Sequence, residues 1–284
     1  SAWELHDPVF LNEPALQCGF EPKVWKRLQE QVGEERTNEI GLNSLSEAPC
    51  ILAMEQGSTE PMHSTPHQSK NNYVLDRGAN IGVILEENPQ ARIQDPTSTN
   101  SLELAALLRP QRILDVCAGR GTKTKQLRSM FPDAMIGATE PNEERRKVLS
   151  EIAGDLDVEV YSQETDGPSE PFDLIVVDTP CSNSGVFARR PEAKYRYKEK
   201  QIESLVALQR EILSESCQVL RRQGHLLYAT CSIDQEENQS QVNWLKLNKG
   251  FSCIDMKETF PNGAPSGDPT QWHDGGFAAL LQGT

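Results

Sequence analysis

The chain has 284 residues, 37% hydrophobic and 25% charged, the balance of a soluble globular protein, and no apolar run approaches a membrane span. Its seven cysteines are widely spaced with no Cys-x-x-Cys, and its five histidines form no pair at ligand spacing, which argues against a zinc ribbon, a redox pair or any metal site. A net charge of −14 argues against binding nucleic acid by overall charge, so any such contact must be local.

The N-terminus, Ser1-Ala2-Trp3-Glu4, carries neither the basic nor the apolar region of a signal peptide, and it leaves room for an upstream piece. Free thiols and this start are those of a reducing, cytoplasmic setting. Pro22 opens a helix with Val24, Leu28 and Val32 on one stripe. Residues 55–72 are polar and rich in turn formers, and are expected as a long loop or hairpin. Short apolar pieces follow around Val74 and Val83–Leu85. Residues 1–95 are therefore expected to form a small mixed α+β subdomain.

From residue 100 the pattern changes. Leu102–Leu108 is predicted helical, Arg112–Cys117 a strand, and 122–131 a helix. Ala134–Thr139 is the next strand. Asn142 caps a helix whose first turn carries Glu143 and Glu144 and which Gly154 ends. Val158–Tyr161 and Asp173–Asp178 are strands, a long helix spans about 199–220, and Gly224–Cys231 is a strand. Ser232 and Gln235 predict a capping box for a helix reaching about 247. Phe251–Met256 and Gly276–Leu281 are terminal strands. Strands alternating with helices make residues 96–284 a doubly wound α/β domain, in which ligands sit beyond the carboxyl ends of the strands.

Those ends carry reactive side chains. Gly119 and Gly121 follow the first strand, and the helix N-terminus behind them offers free N–H groups. Position 124 is Thr where a dinucleotide loop has a third glycine, and Lys123 follows Thr122 rather than glycine, so a nucleotide-like ligand without a pyrophosphate fits best. Glu140 ends the second strand, where an acid accepts the hydroxyls of a ribose. Asp178 ends the fourth and faces the cleft, and Pro180 stiffens the turn that aims Cys181. Cys231 ends the fifth, beside the predicted helix start, which would favour its thiolate. A cysteine is more often a small core residue, but two at adjacent strand ends weaken that alternative. Residues 189–200 hold six basic and two acidic groups with two tyrosines interleaved, a solvated loop face taken alone but, beside the neighbouring motifs, a candidate nucleic-acid-binding strip in Arg189, Arg190, Lys194 and Tyr195, with Tyr197 as a further stacking candidate.

Over residues 90–284 the sequence resembles the Sun/Fmu-type RNA cytosine-5 methyltransferases, most closely the bacterial 16S ribosomal RNA methyltransferase B group. Four segments carry the resemblance, in order: Asp115–Thr124; Asp178-Thr179-Pro180-Cys181-Ser182-Asn183-Ser184-Gly185 with Arg189-Arg190-Pro191-Glu192; Tyr228–Ser232 with Glu236-Glu237-Asn238; and Asp274–Phe277. The resemblance implies a Rossmann-like methyltransferase fold with a mostly parallel seven-stranded sheet, S-adenosylmethionine as cofactor and RNA as partner. It also implies a cofactor site from Cys117, Ala118, Gly119, Arg120, Gly121, Thr122, Lys123, Glu140, Asp178 and, after the third strand, Glu164 or else Asp166. Cys231 would add to carbon-6 of cytosine, Asp178 would hold the base, Lys123 would stand beside base and cofactor, and Cys181 would assist release. The expected enzyme is a monomer. In the cofactor loop, Gly119, Arg120 and Thr122 stand where the family usually has Ala, Pro and Gly. Three rivals are kept: Cys181 as the nucleophile, an RNA-binding protein that has lost catalysis, and an amino-group methyltransferase. The last is weakened because Asp178-Thr179-Pro180-Cys181 lacks a second proline and an aromatic.

Overall fold

The computed structural model describes residues 13–162, 168 and 170–284. Two sheets are present. Strands β1 (Ile51–Ala53), β2 (Ser64–Pro66), β3 (Asn72–Leu75) and β4 (Arg92–Ile93) form a small antiparallel sheet in the order β2-β3-β1-β4. The polar stretch 55–72 thus contains one arm of a hairpin. Leu52, Met54, Leu75, Ile84 and Ala91 form a cluster beneath this sheet.

The large sheet contains β5 (Arg112–Val116), β6 (Met135–Thr139), β7 (Val158–Tyr161), β8 (Phe172–Asp178), β9 (Leu220–Thr230), β10 (Ser252–Thr259) and β11 (Gly276–Gln282), in the order β10-β11-β9-β8-β5-β6-β7. The four pairings from β9 to β7 are parallel, and β11 runs antiparallel to both its neighbours. This is the expected doubly wound, mostly parallel arrangement. β8 reads Phe-Asp-Leu-Ile-Val-Val-Asp and is almost wholly buried, as a strand covered on both faces must be. On one face, Leu213 of the helix Glu199–Gln218 and Val242 and Leu245 of the helix Gln239–Lys249 pack on Ile175, Val177 and Tyr228. On the other, Leu102 and Leu127 pack on Ile113, Leu174 and Val176.

The Pro22–Val32 helix forms as its stripe predicts, burying Val24, Trp25 and Leu28. Those side chains share a cluster with Phe187, Tyr197, Ile202 and Ile233, so the N-terminal helices lean on the segment after β8. Arg27 strengthens that contact, bonding Asp234 and Glu236 at 2.8 Å each.

Two predicted helices are placed differently. The helix expected at Leu102–Leu108 is Pro96–Glu103, because Asp95 accepts the Thr97 N–H at 2.8 Å and Pro96 occupies the first turn. The capping box at Ser232 and Gln235 does not form. The Ser232 hydroxyl instead donates to Glu237 and accepts from the Asp234 N–H, and the helix begins only at Gln239. No helix starts beside Cys231, so the helix terminus expected to favour its thiolate is not there.

Candidate active site

β5 and β8 are neighbours from which the chain departs in opposite directions, so the loops after them diverge and leave a cleft. The cleft encloses about 1180 Å³ and reaches from Glu140 past Asp178 to Cys231.

The loop after β5 turns sharply. Cys117 and Gly119 both have φ of 61°, and Gly121 has φ of 87° where the helix Thr122–Met130 begins. A Cβ on Gly121 would also lie 2.6 Å from Ile152 Cδ1. Gly121→Ala is therefore expected to cost about 1–2 kcal/mol from the left-handed backbone alone, read as a lowered denaturation midpoint. Glu140 holds this loop: its Oε2 accepts the Gly119 N–H at 2.9 Å and its Oε1 the Asn142 N–H at 2.8 Å, leaving each oxygen a lone pair. Burial first, then the Glu140, Asp178 and Asp115 carboxylates, push the Cys117 thiol up to about 12, so it stays protonated. Arg120 and Thr122 are exposed at the cleft. Glu164 and Asp166 lie outside the described residues.

Asp115 was not singled out from the sequence, though it opens the first motif. It is fully buried, its Oδ2 accepts the Thr124 hydroxyl at 2.6 Å, and its Oδ1 is buried without a partner. Burial pushes this carboxyl up to about 7, the Thr124 hydrogen bond opposing and the Asp178 charge adding to the shift. Folding in the absence of a bound cation therefore favours the protonated acid, and a cation placed against its free oxygen would favour the carboxylate. The stability this confers is complete below the unfolded value near 3.8 and is lost as pH rises through about 7. Thermal unfolding followed from about pH 5 to about pH 8 is expected to show several degrees more loss for the wild type than for Asp115→Asn.

Lys123, on the first turn of the helix behind the loop, bonds Asp178 Oδ2 at 2.8 Å and Ser98 Oγ at 2.9 Å. Burial pulls its ammonium down, but Asp178, with Asp115 and Cys231, more than offsets this, so the cation is held. Lys123, Asp178 and Cys231 all line the same cleft.

Parallel pairing of β8 with β9 brings the two cysteine loops side by side. The Cys181 and Cys231 sulfurs are 3.1 Å apart and both thiols are free. The hydrogen bond to Cys231 and burial hold Cys181 well above its ordinary value, in the thiol form. Cys231 is only partly buried and lines the cleft. Asn183, which sequence reasoning missed, sits in a left-handed conformation (φ 59°). Its amide donates to the Cys181 carbonyl at 3.0 Å and accepts from Cys231 Sγ at 3.2 Å. No spacing rule marks such a residue. The Cys181 loop is clamped to the Cys231 loop by Gly185 N to Cys231 O at 3.0 Å, and to Gly275 by a bond of 2.7 Å.

The basic strip divides. Arg190 and Tyr195 are exposed. Arg189 bonds Asp274 at 2.6 Å, Asp95 at 3.4 Å and the Pro49 carbonyl at 3.0 Å, which makes it a tie between segments. Lys194 is buried, its ammonium donating to the Cys18 carbonyl at 2.8 Å and lying over Phe20, so it faces inward rather than to a ligand. Tyr197 is also buried, donating to Asp234 at 2.7 Å. These inward positions come from the N-terminal helices, which the strip covers. Among the described residues no group of three His, Cys, Asp or Glu could hold a metal, and no helix is long and apolar enough to cross a membrane.

The family described as 16S rRNA methyltransferase RsmB/F matches residues 104–267. Ribosomal RNA small subunit methyltransferase B of Klebsiella pneumoniae is 34% identical over 212 residues, covering 72% of this chain and 45% of the relative. That of Photorhabdus laumondii is 34% identical over 158 residues, covering 53% of this chain and 37% of the relative. The chain thus spans less than half the length of these curated relatives. A methyltransferase homolog protein from Pyrococcus horikoshii superposes with a TM-score of 0.71 at 19% identity, covering 98% of this chain and 100% of the other. NSun6 from the same organism, solved with SFG, gives 0.70 at 15% identity, covering 93% and 98%. At such identities the two structures speak for the fold alone. With the family match covering more than half of its length, the chain belongs to the 16S rRNA methyltransferase RsmB/F family.

Proposed function

We propose that this chain transfers a methyl group from S-adenosylmethionine to carbon-5 of a cytosine in 16S ribosomal RNA, with Cys231 as nucleophile. The observation that carries this is the pair of free thiols 3.1 Å apart in a cleft that also holds the Lys123–Asp178 ion pair. Carbon-5 of cytosine is a poor nucleophile, and a thiolate added at carbon-6 makes it enamine-like.

The cofactor supplies an electrophilic methyl group when bound. The residues present fit it. Asp115 offers a buried, unpartnered carboxylate oxygen for its cationic end, Glu140 keeps lone pairs for ribose hydroxyls, and the Cys117–Thr122 turn leaves room for close approach. On the RNA side, Cys231 attacks carbon-6, with Lys123 lining the same cleft. Asp178 accepts from the cytosine amino group and steadies charge in the ring. After methylation solvent takes the carbon-5 proton, and the electron pair it leaves re-forms the ring double bond and expels the Cys231 sulfur as a thiolate. Cys181, as a thiol, is placed to hydrogen-bond the departing Cys231 sulfur. Arg190 and Tyr195, both exposed, would meet RNA, and the segment 13–95 would lie on the RNA side.

The test is incubation with 16S ribosomal RNA and S-adenosylmethionine, followed by bisulfite sequencing. A newly resistant cytosine is expected. RNA left fully convertible by a folded, cofactor-binding preparation would reject the reading.

A further inference from the structure

Behind the cleft wall, one carboxylate joins the two cysteine loops. Glu237 is fully buried in the segment after β9. Its Oε1 accepts the Ser182 N–H at 2.9 Å and the Gln209 side-chain amide at 3.0 Å. Its Oε2 accepts the Ser232 hydroxyl at 2.6 Å. Its own carbonyl takes the buried Tyr228 hydroxyl at 2.6 Å, which pins it to β9. Ser182 follows Cys181 and Ser232 follows Cys231, so each arm holds the residue next to one thiol. The Ser182 and Ser184 hydroxyls reach Ser232 at 3.2 and 2.9 Å, and the Ser184 hydroxyl also accepts the Ile233 N–H at 3.0 Å, closing the network.

We infer that Glu237 is a positioning residue: by holding both loops on one side chain it sets the separation of the Cys181 and Cys231 sulfurs. Three donors converge on it, and only a carboxylate has enough acceptor sites for all of them. Glutamine keeps one acceptor oxygen and can reverse the Ser232 bond, because a serine hydroxyl also accepts. Alanine leaves the Ser182 N–H and the Gln209 amide buried without this partner, and the loops are free to part. The residue touches no reacting atom, and its contribution to catalysis rests on the cysteine-based reading above.

The separation is measurable without RNA. Diamide, a diazene oxidant, converts two neighbouring thiols to a disulfide: each sulfur loses its proton, the pair gives up two electrons, and the diazene becomes the hydrazine. With the full chain, peptide mass spectrometry reads the rate at which Cys181 and Cys231 bridge. E237A is expected to bridge at least ~10-fold more slowly than wild type and E237Q within about threefold, and E237A to lose ~100-fold in kcat with KM for S-adenosylmethionine within about twofold. Should E237A fail to fold, S232A removes a single arm and is expected to bridge several-fold more slowly. Bridging of the folded variant at the wild-type rate would overturn the assignment. Slowed bridging in the variants, beside a wild type that methylates no RNA, would uphold the positioning role and overturn the proposed function instead.

Discussion

Cys231→Ala is expected to reduce methyl transfer at least ~10⁴-fold, the scale on which removal of a covalent nucleophile leaves only binding and electrostatics. Under the proposed function the loss should fall on kcat, because Asp115 and Glu140, the residues proposed to meet the cofactor, are held by partners other than Cys231. RNA carrying 5-fluorocytosine separates the two thiols. A fluorine at carbon-5 cannot leave as a proton does, so the adduct persists on whichever sulfur attacked. Wild type is expected to be trapped through Cys231. Cys181→Ala should still form adducts and, with ordinary RNA, should accumulate them, since the thiol placed to receive the departing sulfur is gone. An adduct on Cys231→Ala together with none on Cys181→Ala would exchange the two roles.

Asp178→Asn carries the second largest effect. The substitution preserves shape and removes the charge that pairs with Lys123 at 2.8 Å. Two consequences must be separated. On stability the change is moderate: Asp178 is 35% exposed but Lys123 only 12%, so the ammonium loses its carboxylate partner in a largely dry site, at a cost of about 1–3 kcal/mol. On turnover the proposed function makes it large, because this carboxylate lines the cleft and is the group proposed to take the cytosine amino edge. A loss of ~10²–10³-fold in kcat is expected, the usual scale for one preorganised electrostatic partner. Single-turnover kinetics beside a thermal melt would check it. A variant that melts much earlier yet turns over at the wild-type rate would make the pair structural.

Much of the site was legible along the chain, for a physical reason. In a parallel sheet every strand end faces the same edge, so a run such as Leu174–Val177 followed by Asp178 announces both a buried strand and a side chain delivered to the cleft. The same reasoning located Glu140, Cys181 and Cys231. It misjudged Ser232, because a serine followed three residues later by glutamine satisfies the local rule for a helix start. Here that hydroxyl is held by Glu237, a bond between side chains that no local pattern reports. It also assigned Lys194 to a ligand-facing strip, when the partners of its ammonium, the Cys18 and Ser44 carbonyls, lie more than a hundred residues upstream.

Alternating apolar strands and capped helices, taken alone, determined the doubly wound sheet and the residues at its carboxyl edge, since burial on both faces and the hydrogen-bonding period of each element are local properties. The tertiary structure decided which of those residues meet. The 3.1 Å separation of two thiols fifty residues apart depends on strand register and on one buried carboxylate spanning two loops. The tertiary structure also decided the meeting of Lys123 with Asp178 in the cleft. Contacts of that kind are set by packing between distant segments, where pairing energy, and not sequence spacing, selects the partner.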